Sequence, residues 1–411
     1  MAELTPRPQW RDPKVWLGLT VLALIAIVGF FAGNPLRVWE WFVAYKSWLL
    51  FLLIVELSMA VLARSRDPKV YVGLAVSVFF IWLAFRELDP RVMWQSIVTA
   101  NPWLLFFVMA QVFLMLFVRG HRWSLFLKPV QPGLSWVVLG WSTCIGFAVN
   151  NLLPARLGEV ARSISASRKT GIAFSTVFGT VVVERIYDIL SILLLFALSL
   201  FVWDFAGPMD KLSAAVKEEL GYTVTQQSIA VNLSALVAVI IMVIVILKWK
   251  TEFSLRVARL LLTPLPERWR DKVVSVLRKF INGLTQTTNP LEVVWIVFIS
   301  ISLWVISWFS VLVGLWACGI DAGPTEAVFV IMAMVVAVSI PASPGYVGPY
   351  HFLAATAITM TAGVGWDQAM GAATVIHLAN YLPQTLFGLY ALSREGLSFK
   401  RIRQEAEHTP A

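Results

Sequence analysis

The sequence predicts an all-α polytopic membrane protein with about eight full spans and two oppositely oriented re-entrant hairpins, on three observations. Hydrophobic residues make up 58% of the 411 and charged ones 14%, against an apolar share of about 45–50% in soluble globular domains. The apolar runs are long and continuous, about the 20 residues that ~30 Å of hydrocarbon requires, and lack the ten-residue alternation of a membrane barrel. Two runs are broken by proline and glycine, at LLPARLG (152–158) and at SIPASPGYVGPY (339–350).

Taken in order, the chain opens with Arg7, Arg11 and Lys14 before an apolar run over 15–32. That run exceeds the ~7–15 residues of a signal-peptide core and no small-residue cleavage site follows, so it reads as a retained anchor. A second run, 46–63, contains Glu56. Residues 1–66 are therefore expected to form two extra N-terminal transmembrane helices ahead of a core over 67–395, with 396–411 as a cytoplasmic tail. Within the core, spans are expected at 69–85, 101–118, 172–202, 226–247, 290–317 and 366–392. Segments 134–151 and 153–167, and again 326–340 and 346–362, form two pairs divided at the breaks. The half ARLGEVARSISASRK is too charged to cross alone, which favours hairpins over full spans. The loop 204–225 reads as a short amphipathic helix outside the membrane.

Lysine and arginine set the orientation. With the N-terminus inside, the inner segments 1–14, 64–69, 119–170, 248–289 and 393–411 carry 3, 3, 7, 9 and 4 of them, while the outer loops carry six. Both termini are thus expected in the cytoplasm, and the net charge of +9 follows the loops and gives no reason to expect nucleic acid. Under this topology span–hairpin–span over 101–202 runs opposite to span–hairpin–span over 290–392. That is the pattern of an inverted-topology repeat, with coincidence in a helix-rich chain as the alternative. In the basic segment 248–289, Val273, Val274, Leu277, Phe280, Ile281 and Leu284 recur at helical spacing among lysines and arginines. Over 248–285 this suits an anionic lipid surface, the bland reading being a positive-inside connector. Trp39, Trp41, Trp48, Trp94, Trp103 and Trp366 fall at span ends as an aromatic belt does. Cys144 and Cys318 lie in apolar runs and suggest neither a disulfide nor a metal site.

The informative charges are those at membrane depth, which are functional candidates by default. Arg156, Glu159 and Arg162 sit on the charged half of the first hairpin; Glu184, Arg185 and Asp188 interrupt the next span. Guanidinium forks suit phosphate, and a half-helix starting after Pro154 offers backbone donors to an anion. The competing reading is structural glue, with Arg185 neutralising Asp188 and Glu159 paired to an arginine. Asn150, Asn151, His377 and Asn380 either add polar contacts or satisfy the broken backbone ends that lipid cannot. No phosphate loop, no H-E-x-x-H and no nucleophile elbow occurs, and the four histidines are too dispersed for a metal. No cofactor is expected, and an ATP-driven pump or self-contained synthase is disfavoured.

The blocks NNLLPARLGEVAR, VVVERIYDILSILLL, SIPASPGYVGPYHF and ATVIHLANYLPQTLFGLYAL together resemble the lysylphosphatidylglycerol synthase transmembrane-domain family over about Val70 to Arg394. The second motif departs from the family's P-G-G-x-G followed by a glutamate: here Pro344, Gly345 and Gly348 are followed by Pro349, Tyr350 and His351. A histidine near the usual acid's place argues against a mechanism needing a carboxylate there. The soluble aminoacyltransferase domain of the full-length enzymes is not in the sequence. The resemblance implies a flippase-like protein of the bacterial inner membrane that moves a phosphate-bearing lipid without making it. Arg156, Arg162 and Arg185 are then expected to hold phosphate, with Glu159, Glu184 and Asp188 tuning it. The alternatives are a lipid-binding scaffold subunit of a membrane enzyme and an intramembrane lipid-modifying transferase; a second copy or a partner membrane enzyme remains an open partner.

Overall fold

A computed structural model describes residues 68–396, except 86–87, 154–156, scattered positions within 206–222, 265, 272–273, 275–288 and 341–343. The two expected N-terminal spans, the tail beyond 396, Arg156 and most of the apolar stripe over 273–284 lie outside the described residues. No strand occurs among those described; the secondary structure is helical throughout.

Twelve helices are named in chain order: α1 Pro68–Phe85, α2 Pro90–Val98, α3 Pro102–Leu127, α4 Trp136–Leu152, α5 Gly158–Thr170, α6 Phe174–Val202, α7 Gln226–Trp249, α8 Thr251–Leu261, α9 Pro290–Ala317, α10 Pro324–Ser339, α11 Pro349–Ala362 and α12 Trp366–Glu395. Their starts are written in the sequence. Asn101 and Asn289 each cap a helix whose first residue is proline, accepting from the backbone N–H of Trp103 and Leu291 at 3.0 Å. The side-chain acceptor satisfies an end donor and proline's missing N–H costs nothing there. Four described helices, α3, α6, α7 and α9, are long and apolar enough to cross a membrane, which makes this a multi-pass membrane protein. The seventh, α7, packs on α6 and leaves Leu236, Val239, Val243 and Ile246 exposed, as a lipid-facing helix should. The short helix α2, Asp89-capped and proline-led, occupies a stretch taken from the sequence as an outside loop.

Helices α4 and α5 form an antiparallel pair around the first break. Ser142 and Ser165 hydroxyls lie 2.7 Å apart, and the two backbones touch at glycine. A Cβ on Gly158 would stand 2.1 Å from the Gly146 carbonyl oxygen, so only glycine permits this approach. Helices α10 and α11 form the second pair. Here Gly345, in the turn Pro344–Tyr346, has φ +71°, and Gly348, just before α11, has φ +100°, backbone that a side chain disfavours. Helix α12, 30 residues with Pro383 inside, runs antiparallel to α4, Trp141 meeting Tyr390 and Ala148 meeting Gly388. Small residues on α12, Ala369, Ala372 and Ala373, are wholly buried and let its neighbours close in.

The two breaks meet. The Asn151 carbonyl, at the end of α4, accepts from the Tyr381 hydroxyl at 3.2 Å, and the Asn151 amide donates to Thr385 Oγ1 at 3.0 Å. The Tyr381 ring in turn covers Gly345 of the second break, where a Cβ would lie 2.8 Å from Cε2.

Candidate functional site

Charges from three helices gather in the interior. On α6, Glu184 and Asp188 are one turn apart and both buried. Asp188 accepts from Arg122 at 2.7 Å and Arg119 at 3.2 Å, both on α3, and lies 3.5 Å from Arg185. Glu184 meets Arg122 at 3.0 Å, Arg162 of α5 at 3.2 Å and Arg119 at 3.8 Å. Arg122, wholly buried, also donates to Ser300 Oγ on α9 at 2.9 Å. Arg185 reaches Glu159 at 3.5 Å. Both pairings foreseen as glue are thus present, but the shorter contacts of Asp188 are to α3.

The arrangement is not neutral. Among the described residues the four arginines 119, 122, 162 and 185 face three carboxylates, 159, 184 and 188, leaving one positive charge in surplus. Nor are its donors used up. Among the described residues the buried Nε of all four arginines has no hydrogen-bond partner, and neither has Nη2 of Arg162. The Arg162 guanidinium instead lies over the Trp123 ring at 4.9 Å, and the Trp123 indole donates to Thr180 at 2.9 Å. Surplus cation and idle buried donors suit an anion, since a buried donor left unpaired is costly.

A narrow cleft of about 10 Å³ gives access to this cluster, lined by Gly146, Phe147 and Asn150 of α4, Glu159 and Arg162 of α5, and Arg185 of α6. It has room for about one water. Asn150 shapes its mouth: Oδ1 accepts from Gly158 N–H at 2.7 Å, capping α5, while the amide lies 3.4 Å from Glu159. Asn150 therefore does satisfy a broken backbone end.

The remaining candidates form a second group. His377 stacks on Tyr350 at 4.4 Å and meets His351 edge-on at 4.8 Å and Tyr381 at 5.5 Å. With Pro344, Gly345 and Gly348 they surround the second break, which Tyr381 links to Asn151 at the first. Asn380 belongs to neither group: its amide donates to Ile376 O within its own helix at 2.9 Å. Arg119, Arg122 and Ser300 belong to the charge cluster although sequence reasoning passed over them. Their signal was available, because Arg119, Arg122, Trp123 and Phe126 keep helical spacing with no proline before Pro129.

The profile of the lysylphosphatidylglycerol synthase TM region matches residues 70–388, well over half the chain. The chain belongs to this family. The lysylphosphatidylglycerol synthase region as matched includes both breaks and the whole charge cluster, and membership makes this a lipid-related membrane protein. A glycosyltransferase, AglD of Haloferax volcanii, is 23% identical over 325 residues, 76% of this chain and 52% of that protein. The chain thus spans about half the length of this curated relative. No solved structure matches it.

Proposed function

We propose that this protein is a flippase-like transporter that moves a phosphate-bearing lipid across the plasma membrane without ATP hydrolysis, its phosphate taken by Arg156, Arg162 and Arg185. The observation that carries the reading is the surplus guanidinium charge with unused buried donors beside a cleft between a broken hairpin and a span. Anion recognition by arginine forks in a water-poor site is strong and geometrically selective. The cleft is too small for a phosphate as it stands, so entry requires α5 to move against α4 and α6. The phosphate then displaces Glu159 from Arg185, so that Arg185 has an anionic partner in both states.

In this reading the α4–α5 and α10–α11 pairs are re-entrant hairpins of opposite sense within an inverted repeat, and their contact at Asn151 is the pivot between the halves. Eight full spans and cytoplasmic termini complete the topology, in an inner membrane of bacterial type. Movement runs downhill or with a coupled ion, because a carrier binding equally on both sides produces no gradient.

The test is translocation of a labelled phospholipid in proteoliposomes. Arg162→Gln and Arg185→Gln each slow it at least tenfold, while Arg162→Lys, which keeps charge without the fork, retains part of the rate. Unchanged rates in both glutamine variants, with folding verified by size exclusion, would sink the proposal. A second reading, a lipid-binding unit that serves a lipid-modifying enzyme, is favoured by the likeness to about half of a protein named a glycosyltransferase. Co-purification with one enzyme and no translocation by the protein alone would select it.

A further inference from the structure

The charge cluster occupies only the first part of α6. Beyond it the same face turns apolar: Arg185, Asp188, Ile192, Leu195, Ser199 and Val202 follow at steps of three and four residues, so they align along one side of the helix. From Ile192 to Val202 this side forms one wall of a groove of about 250 Å³, with Trp304 and Trp308 of α9 and Met332 of α10 opposite. Ten residues of helix measure about 15 Å, half of the ~30 Å hydrocarbon core, the depth of one leaflet. The far end carries Trp203 stacked on Trp308 with centroids 5.6 Å apart, and Trp308 donates to Pro324 O at 3.1 Å. The near end holds Trp304, one turn along α9 from the Ser300 that Arg122 bonds. Its indole N–H is buried and has no acceptor among the described residues.

We infer that this groove is a subsite for one hydrocarbon chain of an ester-linked lipid, with Trp304 Nε1–H donating to the ester carbonyl where the chain joins the headgroup. The inference rests on the lipid-phosphate reading above and adds the chain to it. Three features select this occupant. The groove is apolar and lies along membrane-spanning helices, so hydrocarbon and not water fills it. It continues directly from the charged cluster on a single helix face, in the order phosphate, ester, chain. Its polar donor lies at the charged end, where an acyl lipid has a carbonyl and an ether or polyprenyl lipid has none.

The experiment measures binding of diacyl phosphatidylglycerol and of its dialkyl ether analogue, identical in headgroup, to the full chain purified in detergent. Wild type prefers the ester by about fivefold, the size of one hydrogen bond. Trp304→Phe abolishes that preference and leaves ether binding as it was. Leu195→Trp, which fills the groove, weakens both lipids at least tenfold. A wild type without preference, a preference that survives Trp304→Phe, or wild-type affinity in Leu195→Trp overturns the inference. Should Arg162→Gln alone release the lipid while both groove variants bind normally, the phosphate reading stands and the groove falls. Should both groove variants act as expected while Arg162→Gln changes nothing, the chain subsite stands and the phosphate assignment falls.

Discussion

Replacing Asp188 by asparagine removes a carboxylate that three arginines share, at 2.7, 3.2 and 3.5 Å. The amide is nearly isosteric, so the effect is electrostatic. Asp188 and Arg122 are both buried, and breaking a buried ion pair from one side costs about 3–5 kcal/mol because the partner stays uncompensated. Asp188→Asn therefore shifts the unfolding equilibrium by roughly two to four orders of magnitude, at 1.4 kcal/mol per tenfold. Denaturation in mixed micelles, followed through the 19 tryptophans, measures it. Adding Arg122→Met to Asp188→Asn removes the stranded cation, so the pair of changes costs less than their sum by about 1–3 kcal/mol. A second readout moves the other way: the surplus in the cluster rises from one positive charge to two, and anion affinity rises while stability falls. If Asp188→Asn costs under about 1 kcal/mol and shows no coupling to Arg122→Met, the cluster is hydrated and the reasoning from burial is wrong.

Gly158→Ala drives a methyl against the Gly146 carbonyl and Asn150, so it destabilises by about 1–3 kcal/mol as overpacking does and opens the α4–α5 pair to proteolysis. Gly179→Ala on α6 meets nothing within 4 Å among the described residues and is neutral or stabilising by up to about 1 kcal/mol, a control for helix propensity in the same denaturation assay. Asn151→Leu strands the Thr385 hydroxyl it now bonds and costs about 1–3 kcal/mol, measured as loss of thermal stability that Thr385→Val in the same chain partly restores. Cys144 and Cys318 are both buried, so a polar maleimide labels neither in the folded protein and labels both in denaturant, as mass spectrometry reads directly.

Hydropathy alone revealed most of the helices, because a continuous apolar run has few other ways to exist in lipid. The breaks were equally plain, since proline and glycine mark positions where the ladder of backbone hydrogen bonds stops. The charges on α5 and α6 stood out for the same reason: Glu184, Arg185 and Asp188 interrupt an otherwise apolar span. What stayed hidden was partnership. Arg119 and Arg122 follow the apolar run 101–118 and read as the start of an inner loop, yet α3 continues to Leu127 and carries them into the interior. Sequence neighbours pointed to Arg185 as the partner of Asp188, whereas residues 66 and 69 positions away lie nearer. Only tertiary packing sets such distances. Likewise Asn380 shared a polar segment with His377, and which of the two would face the second break depended on helix rotation that a weakly amphipathic segment does not reveal.

The contact between Asn151 and Tyr381 bears on how the chain is made. The donor that satisfies this carbonyl stands 230 positions later, and the Thr385 that receives the Asn151 amide 234 later. At a synthesis rate of about 5–20 residues per second, the first break waits roughly 10–50 s for its partners. During that interval its polar groups must be met by water or by another protein, since hydrocarbon offers them nothing. The early half of the molecule is therefore an obligate intermediate, most exposed to quality control before α12 emerges, and substitutions at Tyr381 or Thr385 act first on yield and only afterwards on activity.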